Sequence, residues 1–374
     1  MADNGELIKR IGLENVVMAE SELSFIDGRK PELIYRGYDI KDLAEHSSFE
    51  ETTYLLWNGE LPTKDELDNF RDQLTSQRAL PDTVLGLIED TTEDAVPMEV
   101  LRTAVSALPV YADESGSHTK HGRSILAKIP TIVAAFNRVR NGHDPIEPRE
   151  DLGHAANFLY MMSGDEPKEE HADVFDTCLL LHADHGMNAS TFTARVIAST
   201  QSDMFSAITG AISALKGPLH GGANQDVVRM LLDIEDPDRP VDHVKEMLDE
   251  GKRIPGFGHR VYKVKDPRAA ILKRISQDIS AESEGPNWYR MLDEIEGFMA
   301  DEKGIAPNVD LYSGSVYYSL GIPVDLFTPI FAMGRISGWV AQVLEQYESR
   351  RIIRPRAEYV GDRDLEYVPV GERE

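Results

Sequence analysis

Gly217-Pro218-Leu219-His220-Gly221-Gly222-Ala223-Asn224 sets one histidine on a Pro/Gly corner directly before a helical pattern. Pro218 restricts the entering backbone, and Gly221 and Gly222 carry no side chain that would block close approach by a ligand. Val227, Val228, Leu231 and Leu232 then recur as one face of the helix that follows. The positive end of that helix disfavours imidazolium. A neutral imidazole held there can donate a hydrogen bond to a developing enolate oxygen. A capping histidine with packing glycines accounts for the same residues equally well.

Two further segments add chemistry. Arg253-Ile254-Pro255-Gly256-Phe257-Gly258-His259-Arg260 is a second loop in which Pro and Gly hold a histidine, here flanked by cations. Pro307-Asn308-Val309-Asp310-Leu311-Tyr312-Ser313-Gly314 puts a carboxylate between an Asn-containing turn and a Ser/Gly turn. Taken alone, Asp310 reads as a turn residue bonded to its own backbone. Together, a neutral donor, a second histidine and a carboxylate base form a set suited to carbon acid chemistry.

Around these loops helical periodicity dominates, so the fold class is mainly α. Trp288, Leu292, Ile295 and Met299 share one face, and Gly304 supplies a C-terminal stop. Asp266-Pro267 reads as an N-cap followed by proline at the first helical position. Leu326 to Gln346 is another long helix that tolerates Gly334 and Gly338. Each glycine costs about 1 kcal/mol relative to Ala in an exposed helix, so close packing is the expected reason for both. A short hairpin is expected around Leu23 to Tyr35, and a surface loop from Arg140 to Asp151. His118 and His121 read as loop residues.

The 374 residues carry a formal charge of −26, with arginines outnumbering lysines. That sign argues against nucleic acid, whose phosphates need a basic footprint, and against anionic membranes. It suits a protein adapted to concentrated salt, where screening weakens self-repulsion. Cys178 is the single cysteine and sits in the apolar run Cys178-Leu179-Leu180-Leu181, which makes it a buried small hydrophobe and leaves no intrachain disulfide. Met1 to Glu6 lacks the basic start and apolar core of a signal peptide, and no apolar run approaches the roughly 20 residues that span a bilayer. A soluble, cytoplasmic protein is expected.

The three loops, in this order and spacing, resemble the citrate synthase family. So do Ser24-Phe25-Ile26-Asp27-Gly28, Leu33-Ile34-Tyr35-Arg36-Gly37-Tyr38, His182-Ala183-Asp184-His185-Gly186-Met187-Asn188-Ala189-Ser190, Asp266-Pro267-Arg268 and Ile353-Arg354-Pro355. The resemblance implies a two-domain fold. Residues 1–218 and 322–374 would form a large helical domain, and 219–321 a smaller one closing over the substrates. It implies condensation of acetyl-CoA with oxaloacetate to give citrate and CoA, with Asp310 as base, His220 as donor to the thioester oxygen and His259 as acid at the ketone. His185, Arg268, Arg335 and Arg354 match the oxaloacetate binders. The family arginine matching Arg354 reaches in from the partner subunit, so a homodimer is implied. The segment Ile254-Pro255-Gly256-Phe257-Gly258 resembles the one that meets CoA, with Arg253, Arg260, Lys263 and Lys303 as phosphate partners. The motifs imply no metal and no tightly bound cofactor.

Three other readings stay open. 2-Methylcitrate synthase uses propionyl-CoA with the same catalytic set. A metal-dependent hydrolase would rest on His182, Asp184 and His185, of which 182 and 185 share a face if the stretch is helical. A non-catalytic acidic helical scaffold would rest only on charge and helix content.

Overall fold

The structure is a computed structural model that describes residues 11–13, 16–111, 116–259, 261–262, 264–281 and 287–373. Arg260 and Lys263 lie outside the described residues. The chain is mainly α, with sixteen α-helices among those residues and one three-stranded antiparallel sheet.

The long helix Phe327–Ser349 organises the larger group of helices. It packs against Phe49–Asn58, His118–Arg140, Glu169–His182, Ala189–Ser199 and Met204–Leu215. Glycine makes two of those contacts possible. A Cβ on Gly334 would sit 2.8 Å from the Leu179 carbonyl oxygen, and one on Gly338 would sit 2.2 Å from that of Ala183. The Gly338 N–H instead donates to the Ala183 carbonyl at 2.9 Å. Backbone-to-backbone approach is therefore what keeps glycine inside this helix.

A second group is built from Ala223–Asp233, Pro267–Ser280, Trp288–Lys303 and Asp310–Ser319, which pack on one another, with Pro240–Asp249 against Trp288–Lys303. The helix Trp288–Lys303 buries Trp288, Leu292, Ile295 and Met299 and stops at Gly304 in the left-handed conformation. Asp266 caps Pro267–Ser280, its side chain accepting from the Arg268 N–H. In Ala223–Asp233 the buried face is Val227, Val228, Met230 and Leu231, whereas Leu232 is half exposed. That corrects the expected fourth position by a small rotation of the face.

The hairpin pairs Ser24–Asp27 with Glu32–Tyr35 in the register Ser24↔Tyr35, and Tyr38–Asp39 adds a short third strand. His118 and His121 are not loop residues: Ser117 caps a helix that starts at His118, and the His118 ring stacks on Tyr347 at 4.1 Å. Cys178 is fully buried, as its apolar neighbours require. Among the described residues no helix is long and apolar enough to cross a membrane.

Candidate active site

His220 occupies the turn between Met204–Leu215 and Ala223–Asp233, its N–H donating to the Gly217 carbonyl at 2.9 Å. Gly221 allows the corner to close, since a Cβ there would lie 2.2 Å from the Leu215 carbonyl oxygen. Gly222 takes φ +96° at the helix start, a region that favours glycine. The ring reaches Ser190, the second residue of Ala189–Ser199. The Ser190 N–H donates to His220 Nε2 at 3.2 Å, with Ser190 Oγ at 2.8 Å from the same nitrogen. An accepting Nε2 leaves the ring proton on Nδ1. Burial, and then the Arg335 guanidinium, push the imidazole pKa down to about 4, so His220 is a neutral donor near neutral pH.

His259 is fixed the other way round. Its Nδ1 accepts the N–H groups of Val261 and Tyr262, both at 3.0 Å, which leaves the proton on Nε2. The loop that carries it is tied to the loop that carries Asp310. Gly258 N–H donates to the Ala306 carbonyl at 3.1 Å, Asn308 N–H to the Gly256 carbonyl at 3.0 Å, and Asn308 Nδ2 to the Gly258 carbonyl at 2.8 Å. Gly256, at φ +81°, admits Leu311, whose Cδ1 would lie 2.7 Å from an added Cβ. Asp310 starts the helix Asp310–Ser319, and its N–H donates to Asn308 Oδ1 at 2.9 Å. Burial pushes the Asp310 carboxyl up to about 6, against the opposing pull of Arg268. An acid of that strength is mostly ionised near pH 7 and still basic enough to take a proton.

Two buried guanidiniums, of Arg268 and Arg335, bring positive charge into this neighbourhood. Arg268 is held bidentately by Asp266, Nε to Oδ1 at 3.0 Å and Nη2 to Oδ2 at 2.7 Å. Burial alone would lower its pKa, but the Asp266 carboxylate overrides that and raises it. Arg335 projects from the long helix, donates through Nε to the His182 carbonyl at 2.6 Å and lies over the Phe331 ring at 4.6 Å. With burial uncompensated by a paired carboxylate, its pKa falls to about 10, which still leaves it charged. Arg335 acts electrostatically on His220, His185 and Asp310 alike, which marks these residues as one neighbourhood.

His185 completes the cluster. Its ring centroid is 5.2 Å from that of His259, and its buried Nε2 has no protein partner. Burial, then Arg268 and Arg335, hold it well below the usual imidazole range. A buried orphan nitrogen beside two cations is placed to bind a polar oxygen of an anionic ligand.

The expected residues divide. His185, His220, His259, Arg268, Arg335 and Asp310 come together. Ile254 to Gly258 lead into the His259 loop through a turn at Pro255 and Gly256, and Phe257 bridges Pro307. Arg253 and Lys303 are exposed, at opposite ends of that pairing. Arg354 is not brought to the site within one chain. It lies exposed on the segment following Phe327–Ser349 and joins none of the contacts described above.

The stretch 182–185 is not helical beyond His182, where Glu169–His182 ends. His182 Nδ1 bonds the Cys178 carbonyl at 2.7 Å, and Asp184 Oδ2 is held by Ser24 and the Gly186 N–H. Among the described residues the convergent metal-type set is instead His185, His259 and Asp266, with ligand atoms within 4.8 Å. Both Asp266 oxygens already bind Arg268, and two buried guanidiniums oppose a metal cation there.

Sequence reasoning assigned no site role to Ser190, Asn308 or Tyr262, and gave Asp266 only its capping one. Ser190 and Asn308 sit inside motifs that were read for their neighbours. The second function of Asp266 depends on the Arg268 side chain folding back over its own cap.

A mainly helical fold carrying two oppositely fixed histidines, a carboxyl of raised pKa and two buried guanidiniums is the equipment of an acid–base enzyme for an anionic substrate. The chain belongs to the citrate synthase family. The family model "Citrate synthase, C-terminal domain" matches residues 12–356. A citrate synthase of Haloferax volcanii is 54% identical, over 99% of this chain and 100% of the relative. 2-Methylcitrate synthase 1 of Corynebacterium glutamicum is 42% identical, over 97% of this chain and 98% of the relative. Citrate synthase of Thermoplasma acidophilum, solved as a ternary complex with carboxymethyl coenzyme A and oxaloacetate, superposes with a TM-score of 0.92. That structure is 34% identical, covering 98% of this chain and 100% of that one.

Proposed function

We propose that this protein condenses acetyl-CoA with oxaloacetate and water to give citrate and CoA. The observation that carries the reading is the opposed tautomers of its two histidines. His220 presents Nδ1–H and His259 presents Nε2–H, each because backbone amides occupy the other nitrogen. Asp310 removes a proton from the acetyl methyl group. The His220 Nδ1–H bonds the thioester oxygen as it becomes an enolate, an interaction worth about 3–4 kcal/mol of barrier. The enolate carbon attacks the ketone of oxaloacetate, and His259 delivers its Nε2 proton to the ketone oxygen. Hydrolysis of the thioester releases CoA. Arg268, Arg335 and His185 bind the oxaloacetate dianion, guanidinium forks suiting carboxylates.

The proposal extends to the assembly. Arg354 completes the carboxylate pocket of the partner subunit, so the working unit is a homodimer. The exposed placement of Arg354 after the long helix supports this. Residues 219–321 move as a smaller domain over 1–218 and 322–374, bringing Arg253, Ile254 to Gly258 and Lys303 to CoA. The acidic chain works in the cytoplasm, at high salt.

2-Methylcitrate synthesis is the second reading, favoured by relatives of that name at 42% identity. One methylene in an apolar pocket is worth only about 1–3 kcal/mol. Free CoA is measured with acetyl-CoA and with propionyl-CoA, each with and without oxaloacetate. Oxaloacetate-dependent release with the higher kcat/KM for acetyl-CoA is expected. A propionyl-CoA preference moves the assignment to 2-methylcitrate, and no release with either thioester removes it.

A further inference from the structure

The β-hairpin touches both histidine loops. On one side it grips the peptide around His185. The Tyr35 hydroxyl donates to the Asp184 carbonyl at 2.6 Å and accepts the Asp184 N–H at 3.1 Å. Ser24 Oγ donates to Asp184 Oδ2 at 2.5 Å and accepts the Gly186 N–H at 3.1 Å. Residues 184 and 186, on either side of His185, are therefore both pinned by the hairpin. Tyr35 is fully buried, so its two bonds are made away from water, where leaving either unmade is costly.

On the other side the hairpin meets the loop of His259. The Tyr262 hydroxyl donates to the Glu32 carbonyl at 3.1 Å. The turn residue Gly28 lies so close to Val261 that a Cβ would come within 2.4 Å of the Val261 carbonyl oxygen. Val261 and Tyr262 are the residues whose N–H groups fix the His259 tautomer. The Tyr262 ring also packs on both imidazoles, with centroids 4.9 Å from His259 and 5.7 Å from His185.

We propose that the hairpin Ser24–Tyr35 is a clamp that sets the two histidine loops at the spacing oxaloacetate requires, with Tyr262 and Gly28 as positioning residues. His185 and His259 come from segments far apart in sequence, and neither is covalently near the other. A hairpin bonded to both holds their separation once 219–321 has closed over 1–218, with Tyr35 and Ser24 on the His185 side and Glu32 and Gly28 on the His259 side. The clamp acts first on oxaloacetate recognition; Asp310 stands one link further off, through the Asn308 bonds that join its loop to that of His259, and His220 rests on Ser190. This inference rests on the oxaloacetate reading given above.

The test uses full-length protein and three variants. Tyr262→Phe removes one hydroxyl and keeps the ring. Gly28→Ala pushes the turn away from Val261. Phe25→Ala trims a half-exposed hairpin side chain and serves as the control. Oxaloacetate affinity is read by calorimetry, and KM for each substrate by free-CoA release. Tyr262→Phe and Gly28→Ala should each weaken oxaloacetate binding and raise its KM roughly two- to tenfold, the range of one net hydrogen bond. The acetyl-CoA KM should change less than twofold, Phe25→Ala should behave as wild type, and the double variant should lose less than the product of the two single effects. Unchanged oxaloacetate affinity in Tyr262→Phe overturns the clamp. So does a parallel rise of both KM values. Should Gly28→Ala fail to fold, Tyr262→Phe alone decides. Failure of the wild-type protein to bind oxaloacetate overturns the functional reading itself, a different result from either of these.

Discussion

His220 and His259 make an instructive pair because each is fixed in one tautomer, and the two are fixed by different architecture. His220 is held by a residue of another helix, Ser190, whose side chain is buried and also receives the Trp339 indole N–H at 3.2 Å. His259 is held by the next residues of its own loop. The first imidazole inherits its orientation from the core and can change only if helices shift. The second is oriented locally, and its position relative to the substrate depends on how the whole loop is placed. One histidine is therefore suited to a fixed oxyanion, and the other to a site that is assembled as the ligand arrives.

The sharpest tests separate these roles. Asp310→Asn leaves both histidines in place and removes the proposed base, so kcat should fall by about 10²–10⁴, measured by free-CoA release. A fall of less than tenfold would assign the proton abstraction elsewhere. His220→Ala should cost roughly 10²–10³ in kcat with little change in oxaloacetate affinity, whereas His259→Ala should weaken oxaloacetate binding as well. Identical behaviour of the two variants would erase the distinction drawn above.

A pH profile comes next in size. As the proposed base Asp310 must be ionised to act, and its carboxyl is raised to about 6. kcat/KM should drop about fivefold between pH 6 and pH 5, while His220, held near 4, stays mostly neutral through that window. The same shift fixes a sign for stability. Because the folded carboxyl binds its proton more tightly than the unfolded one, ionising it penalises the fold, beginning above the unfolded pKa and fully above about 6. Asp310→Asn should therefore melt at a higher temperature than wild type near pH 8 and lose that advantage near pH 4. Smallest of all, Ser190→Ala keeps the backbone N–H on His220 and should cost only a few-fold in kcat, well below the loss expected for His220→Ala. Independently, the melting temperature should rise between dilute buffer and molar KCl if screening of the −26 charge stabilises the fold.

Much of this was legible in the chain. Helix faces such as Trp288 to Met299 follow from period alone, and the Asp266-Pro267 cap from residue type and order. The glycine-bordered histidines stood out because few folds need them. What stayed hidden were relations across the fold. Leu232 was assigned to a buried face that ends one residue earlier, because local periodicity cannot see which neighbour arrives. His118 and His121 read as loop residues because Ser115 to Ser117 have the composition of a turn, although Ser117 is the cap of the helix they begin. The tautomers of His220 and His259 depend on amides that no spacing rule points to. Asp266 shows the limit most clearly, since one carboxylate serves as cap and as counter-ion at once.

The single thiol of this chain is sealed in the core, and burial pushes its pKa up, away from the reactive thiolate. A chromogenic thiol reagent added to native protein therefore meets no accessible thiol except that of liberated coenzyme A. Turnover can be followed continuously by colour, with the enzyme invisible to its own indicator and unharmed by it. Only unfolding would expose a second signal, of one equivalent per chain, so the same reagent also reports when the molecule has come apart.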